Sequence, residues 1–285
     1  MYAITGITGK VGGVVARSLL KAGLPVRAVV RDITKGKPWA DLGCEIALAE
    51  IGNAEALAKA FEGTDGVFLM TPPNYDPQPG FPETQANAAA VKKALETAQP
   101  KRVVFLSTVG AHVAEPNLLN NSRMTEEMLR TLDLPVCVLR AAWFMENAGW
   151  DADAARTGVI HCFLQPRDHP IPMVATDDIG RNAAEIIREE WTGVRIVELE
   201  GPVRYCANDI AAGFSIALGL PVRMVPVPRD TWETLFRSQG MRYPLPRIRM
   251  LDGFNEGWID FQGGADIEHR KGQIPLDDVL KTLVA

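Results

Sequence analysis

Tyr2-Ala3-Ile4-Thr5-Gly6-Ile7-Thr8-Gly9-Lys10-Val11-Gly12 decides the fold of this chain. Its first four residues read as a short buried strand. Glycines 6, 9 and 12 follow at once and open a stretch in which Val11, Val14, Val15, Ser18 and Leu19 recur at helical spacing. A turn that must bring several backbone N–H groups within hydrogen-bond distance of a pyrophosphate needs glycine wherever a Cβ would hold the anion away. The positive end of a helix starting near Gly9 faces the same anion. The segment is therefore read as a dinucleotide-binding turn, with Gly6, Thr8, Gly9, Lys10, Val11 and Gly12 around the pyrophosphate. A glycine-rich turn without a ligand is the alternative, and the strand before it and helix after it argue against that.

Beyond this turn, apolar runs at 26–30, 45–49, 66–70, 102–106 and 136–139 alternate with helical patterns at 11–22, 54–61, 83–98 and 124–132. Several of the runs are apolar throughout, as parallel strands covered on both faces must be. The alternation predicts an α/β fold, a doubly wound parallel sheet of the Rossmann type, with all strand carboxyl ends on one edge. Residues 1–150 are assigned to this cofactor-binding domain and 151–285 to a smaller α/β substrate region that closes over it. The distal part reads as strands at 159–162, 195–199 and 223–227 and helices at 177–190, 209–218 and 231–238. Residues 72–82 carry too many prolines for regular structure and are read as a long loop bordering the cofactor.

With 285 residues, 47% of them apolar and 23% charged, the chain can bury a full core. A net charge of −5, with Lys and Arg scattered, offers no basic stripe for a nucleic-acid backbone, so direct nucleic-acid binding is not expected. No apolar run approaches a membrane span and the first strand begins at Met1, which makes a cytoplasmic protein the expectation. Cys44, Cys137, Cys162 and Cys206 lie far apart without a CxxC pair, so neither a disulfide framework nor a metal site is indicated. They read as small buried hydrophobes, with a lowered thiol pKa conceivable only at Cys206, just ahead of a helix.

The end of the second strand separates NAD from NADP, because an acid there bonds the ribose 2′-hydroxyl whereas an arginine pairs with a 2′-phosphate. Arg31 stands at that place, and Lys35 and Lys37 in the following loop add positive charge, so NADP(H) is the expected cofactor. Asp32 is a competing partner for Arg31. Glu50 and Asn53 stand at the height of the adenine, Asn53 equally as a helix cap. Thr71, Pro72 and Pro73 end the fourth strand and either pack on the cofactor or simply terminate the strand. Ser107 and Thr108 end the fifth, nearest the reacting ring.

These blocks together resemble the NmrA-like group of atypical short-chain dehydrogenases/reductases. The resemblance rests on Thr5-Gly6-x-Thr8-Gly9-x-x-Gly12, Val26 to Arg31, Gly66-Val67-Phe68-Leu69-x-Thr71-Pro72-Pro73 and Val103 to Thr108. It continues through Leu139-Arg140-x-x-Trp143-Phe144-Met145-Glu146-Asn147, Asp177-Asp178-Ile179-Gly180, Leu199-Glu200-Gly201-Pro202, Asp209-Ile210-Ala211 and Asn255-Glu256-Gly257-Trp258. It implies either an NADPH-dependent reductase of quinones or azo dyes, or a regulator that binds the dinucleotide and a protein partner without turnover.

One departure bears on mechanism. Short-chain dehydrogenases carry Tyr-x-x-x-Lys on the helix after the fifth strand, yet 118–127 here contains neither residue. Arg123 in that stretch cannot donate a proton near neutral pH. A quinone or related conjugated acceptor tolerates the loss, because hydride goes directly to an electron-poor ring and water supplies the proton. The residues expected at the reaction are His112 as titratable donor, Asn147 as an amide beside the aromatic wall of Trp143 and Phe144, and Ser107 near the nicotinamide. The alternatives are a solvated loop histidine at 112 and a core phenylalanine at 144. The expected partner is a small aromatic or conjugated substrate, and the sequence is also compatible with a homodimer or a protein partner.

Overall fold

The computed structural model describes residues 1–285. Its first half runs β1 (Tyr2–Ile4), α1 (Lys10–Lys21), β2 (Val26–Val30), α2 (Ile33–Asp41), β3 (Glu45–Leu48), α3 (Ala54–Phe61), β4 (Gly66–Leu69), α4 (Pro82–Ala98), β5 (Val103–Thr108), α5 (Asn120–Leu129) and β6 (Val136–Ala141). The second half adds β7 (Trp143–Phe144), a 3-10 turn (Met145–Asp151), α6 (Ala152–Arg156), β8 (Val159–Cys162), β9 (Met173–Val174), α7 (Thr176–Ile186) and β10 (Val194–Glu200). It closes with α8 (Ala207–Leu218), β11 (Arg223–Pro226), α9 (Trp232–Ser238), α10 (Leu245–Glu256), β12 (Glu268–Lys271) and α11 (Leu276–Val284).

The main sheet has eight strands in the order β12-β10-β6-β5-β4-β1-β2-β3, all parallel. The order reverses beside β1, the switch point where a doubly wound sheet opens its ligand crevice. α1, α2 and α7 cover one face, and α3, α4 and α5 the other, each over its own apolar cluster. Val103, Val104 and Phe105 are fully buried, which explains the unbroken apolar run of β5. A third cluster holds the β8–β11 pair with α6, α8 and α11.

Elements beyond residue 150 also join the first sheet. α7 returns to pack on α1, and β10 and β12 extend the first sheet. Gly180 makes this return possible, since a Cβ there would lie 2.5 Å from the Val14 Cβ. β12 carries only polar residues, Glu268-His269-Arg270-Lys271, and pairs along one edge with β10. Such an edge strand shows no apolar alternation, so the sequence reading passed over it. It also passed over α10, capped by Pro244 and carrying Pro246 in its first turn, and α11.

α5 begins at Asn120 and ends at Leu129, four residues earlier at its start and three at its end than 124–132. Local side chains set that start: the Asn120 amide oxygen accepts from Asn117 N at 2.7 Å, and that of Asn117 accepts from Leu119 N at 2.7 Å. The proline-rich loop is irregular as expected, and it enters α4 through Phe81 at φ 56°, an uncommon conformation for a bulky residue.

Candidate functional site

The glycine turn is a tight cradle at the carboxyl end of β1. Gly6 sits at φ +62°, and a Cβ on Gly12 would collide with the Gly6 carbonyl. One on Gly9 would lie 3.2 Å from that same oxygen. Thr5 pins the cradle to β4: its hydroxyl accepts from Met70 N at 2.7 Å and lies 3.2 Å from the Phe68 carbonyl. Gly9 caps α1 with no side-chain acceptor, and the first turn holds no acidic residue. Its N–H donors are therefore free to meet an anion. Thr8, Gly9 and Lys10 are exposed, while Val11 and Gly12 are buried beneath them.

Beside this cradle, Thr8, Val30, Arg31, Asp32, Lys35 and Glu50 line a cavity of about 260 Å³. Asp32 does not pair with Arg31. Its carboxylate accepts from Thr34 N at 2.8 Å and from Thr34 Oγ1 at 2.7 Å, capping α2. These hydrogen bonds hold its pKa below the ordinary value. Arg31 is exposed and has no carboxylate partner. Lys35 and Lys37 lie in α2, not in a loop as expected, because Gly36 lets this helix settle on Val30 and Ile46 and Trp39 anchors it in the core. Gly36 and Pro38 hid the helix from a sequence reading. Asn53 caps α3 through Ala56 N at 3.0 Å, and Glu50 is exposed at the cavity's edge. Donors, free cation and missing Cβ atoms fit a dinucleotide carrying a 2′-phosphate.

Ser107 and Thr108 point to opposite sides, as the strand period requires. The Ser107 hydroxyl donates inward to Glu126 at 2.5 Å and is 3% exposed, so it is engaged by protein. Thr108 is half-buried and its hydroxyl has no protein partner. Thr71 is half-buried and Pro72 and Pro73 are exposed where β4 ends.

Glu126 belongs to a buried ionic network invisible in the sequence. Arg140 reaches it in bidentate fashion, at 3.0 Å through Nε and 2.8 Å through Nη2. Its third nitrogen donates to Gln262 at 2.8 Å and lies 3.6 Å from Glu198. Glu198 also accepts from Gln262 N at 2.9 Å and Gly263 N at 3.1 Å, so one cluster ties β5, α5, β6, β10 and the loop before β12 together. The available signal was an arginine inside the otherwise apolar run Val136-Cys137-Val138-Leu139-Arg140-Ala141.

His112 lies in the turn beyond β5, with Nδ1 buried and without a hydrogen-bond partner. Burial, and after it the Arg140 charge, push its pKa down against the opposing carboxylates Glu198, Glu126 and Asp260. It is thus neither the freely solvated histidine nor an imidazolium donor at neutral pH; it can offer only a neutral N–H. Asn147 is half-buried with an unengaged amide, whereas its neighbour Glu146 caps α7 by accepting from Thr176 N at 2.9 Å and Oγ1 at 2.6 Å. Phe144 packs on the main core, and Trp143 meets Phe254 edge to face at 5.1 Å. Arg123 holds the His112 turn through the Val113 carbonyl at 3.2 Å.

The proline-rich loop spans from the first sheet to the distal part. The Asp76 carboxylate accepts from Arg242 N at 2.8 Å and Tyr243 N at 2.6 Å. Tyr75 meets Trp150 edge to face at 6.0 Å, and both rings are largely exposed. The four cysteines are buried and free. Cys206 caps α8 opposite Asp209, and burial with that carboxyl raises its thiol pKa, the reverse of the conceivable lowering.

A model described as the NmrA-like family matches residues 2–272. NAD(P)H azoreductase of Xenophilus azovorans is 24% identical over 257 residues, 90% of this chain and 85% of that protein. Quinone oxidoreductase 2 of Escherichia coli (strain K12) is 26% identical over 286 residues, 99% of this chain and 92% of its own. The solved triphenylmethane reductase of Citrobacter sp., complexed with NADP(H), superposes with a TM-score of 0.81 at 23% identity, covering 99% of this chain and 100% of that one. At that identity the structural likeness is one of fold.

Proposed function

This chain belongs to the NmrA-like family, and from that membership we propose that it is an NADP(H)-dependent oxidoreductase acting on a quinone or a related conjugated acceptor. The observation that carries the reading is the free guanidinium of Arg31 beside a glycine cradle closed to any Cβ. Relatives named as an NAD(P)H azoreductase and a quinone oxidoreductase support the acceptor class. The bound nicotinamide supplies the hydride.

The chain's own residues bind and orient. Gly6, Gly9 and Gly12 hold the pyrophosphate, and Arg31 with Lys35 takes the 2′-phosphate. Thr71, Pro72, Pro73 and Thr108 border the nicotinamide, with Glu50 toward the adenine. Asn147 and the neutral N–H of His112 offer hydrogen bonds to an acceptor oxygen without delivering a full proton. Positioning is the main catalytic resource of such a site, since no Tyr-x-x-x-Lys pair stands in α5.

Cofactor binding followed by fluorescence, then NADPH consumption with a small quinone panel, tests the proposal. Turnover with at least one quinone is expected. Tight NADPH binding with no oxidation by any acceptor would overturn it in favour of a dinucleotide sensor with a protein partner.

A further inference from the structure

The loop between β4 and α4 is rooted on the glycine cradle. Met70, where β4 ends, donates its N–H to the Thr5 hydroxyl at 2.7 Å, and its Cε fills the space that a Cβ on Gly6 would need. Pro72, Pro73, Pro77 and Pro79 stiffen the segment that follows and deprive it of N–H donors. Gly80 at φ +79° and Phe81 at φ 56°, two successive left-handed residues, then turn it into α4.

Between these ends the loop crosses to the distal part. One Asp76 oxygen accepts from Arg242 N at 2.8 Å and the other from Tyr243 N at 2.6 Å, and those residues lead into α10. α10 in turn is fixed beside the aromatic wall: Phe254 meets Trp143 at 5.1 Å, and the Pro246 carbonyl accepts from Leu118 N at 2.9 Å. Tyr75 meets Trp150 at 6.0 Å, and Trp150 shares its 3-10 turn with Asn147. Residues 71–80 thus form a strap from the cradle to the turn and helix that carry the acceptor wall. Asn74 ties back toward the sheet instead, through Glu83 at 2.6 Å and the Asn121 amide at 3.5 Å. Every hydrogen bond from the strap to the distal part is therefore made by one side chain, that of Asp76. A carboxylate holding two backbone N–H groups is a strong tie at a single point, and a stiff arm freed there swings as a unit about its end residues.

We propose that Asp76 is the latch of this strap, which closes over the nicotinamide and the acceptor. Asp76 is then a positioning residue that acts through Thr71, Pro72, Pro73 and Tyr75. Its effect on turnover rests on the reductase reading, and its effect on access does not. Latched, the strap keeps water from the reacting ring and holds the acceptor against it; released, it opens the path by which acceptor enters and product leaves.

The test compares full-length wild type, Asp76→Asn and Asp76→Ala by hydrogen exchange, by acrylamide quenching of bound NADPH fluorescence, and by quinone kinetics. In Asp76→Ala the Arg242 and Tyr243 amides should exchange at least about tenfold faster while β5 keeps its protection, which separates an open latch from a failed fold. Acrylamide should quench the bound nicotinamide more strongly in that variant. The quinone KM should rise about fivefold or more with NADPH affinity within about twofold of wild type, a split that general destabilisation does not produce. Asp76→Asn keeps one acceptor oxygen and should fall between the two. In wild type alone, NADPH should slow exchange of the same two amides, a measurement that needs no variant to fold.

Unchanged exchange at those amides in Asp76→Ala, their indifference to NADPH in wild type, unchanged quenching, or a parallel loss of NADPH and quinone affinity would overturn the proposal. Exchange and quenching that respond as expected, with no quinone reduced by wild type, leave the strap standing and remove the reductase. Quinone turnover and quenching untouched by Asp76→Ala do the reverse. Failure of wild type to bind NADPH removes both.

Discussion

Asp32 turns away from Arg31. Adjacent in sequence and opposite in charge, the two do not pair, because the Asp32 carboxylate is engaged by the backbone and hydroxyl of Thr34 at the head of α2. That leaves Arg31 free in the cavity with Lys35. Arg31→Ala should weaken NADP(H) by about 1.5–3 kcal/mol, the worth of hydrogen bonds to a charged group, and barely alter NAD(H). Parallel titrations of both cofactors check this; an equal loss for both would remove Arg31 from phosphate recognition.

Asp32→Ala separates capping from recognition. It should lower the melting temperature through the lost cap. The ratio of NADP(H) to NAD(H) affinity should stay near wild type, measured on folded protein below its melting temperature. A swing of that ratio toward NAD(H) would show that Asp32 opposes the 2′-phosphate or supports Arg31 in some other way.

A methyl group at Gly12 has no room beside the Gly6 carbonyl. Gly12→Ala should destabilise the fold by roughly 1–3 kcal/mol, as overpacking does, and weaken both cofactors together. Denaturant unfolding and cofactor titration read the two effects. Wild-type behaviour in both would mean that the turn is more open than its geometry indicates.

Arg140 stands between two buried carboxylates, Glu126 and Glu198. Arg140→Met leaves Glu198 without a cation and Glu126 with only the exposed Arg130 at 3.4 Å, and should cost about 3–5 kcal/mol. Glu126→Gln leaves Arg140 with Glu198 and should cost distinctly less. Urea melts of the two variants test the asymmetry, and equal losses would contradict it.

Asp151 ends the 3-10 turn after Asn147, and burial raises its pKa to about 6 from 3.8. A carboxyl that holds its proton more firmly when folded stabilises the fold below pH 4, and that contribution is lost as pH rises through about 6. Asp151→Asn should therefore raise the melting temperature at pH 7.5, leave it nearly unchanged at pH 4, and flatten the slope between them. Identical slopes for variant and wild type would show that Asp151 does not titrate in this range.

The crossing strands and the glycine turn were legible because both are local patterns. Val103 to Leu106 must be apolar throughout if both sheet faces are covered, and Gly6, Gly9 and Gly12 must lack Cβ atoms for the turn to close. β12 was illegible because a polar edge strand owes its place to pairing with β10 and to partners such as Glu200, which accepts from Lys271 at 2.7 Å. α2 was illegible because its cap and its close packing outweigh the propensities of Gly36 and Pro38. Ser107 illustrates the same limit at the candidate site. Its position at the end of β5 followed from spacing, but the direction of its hydroxyl depended on Glu126, nineteen residues away on α5.

From the order of residues alone came the parallel α/β class, the glycine turn after β1 and the exposed cation after β2, each being a property of short-range spacing and backbone sterics. Tertiary structure decided which charges are free and which are engaged: Asp32 and Ser107 turned aside, His112 left with a buried unanswered nitrogen, Arg140 enclosed. The physical reason is that a side chain's chemistry is set by burial and by the groups that meet it. In this fold those groups come from segments far apart in the chain, as when Asp76 closes on Tyr243.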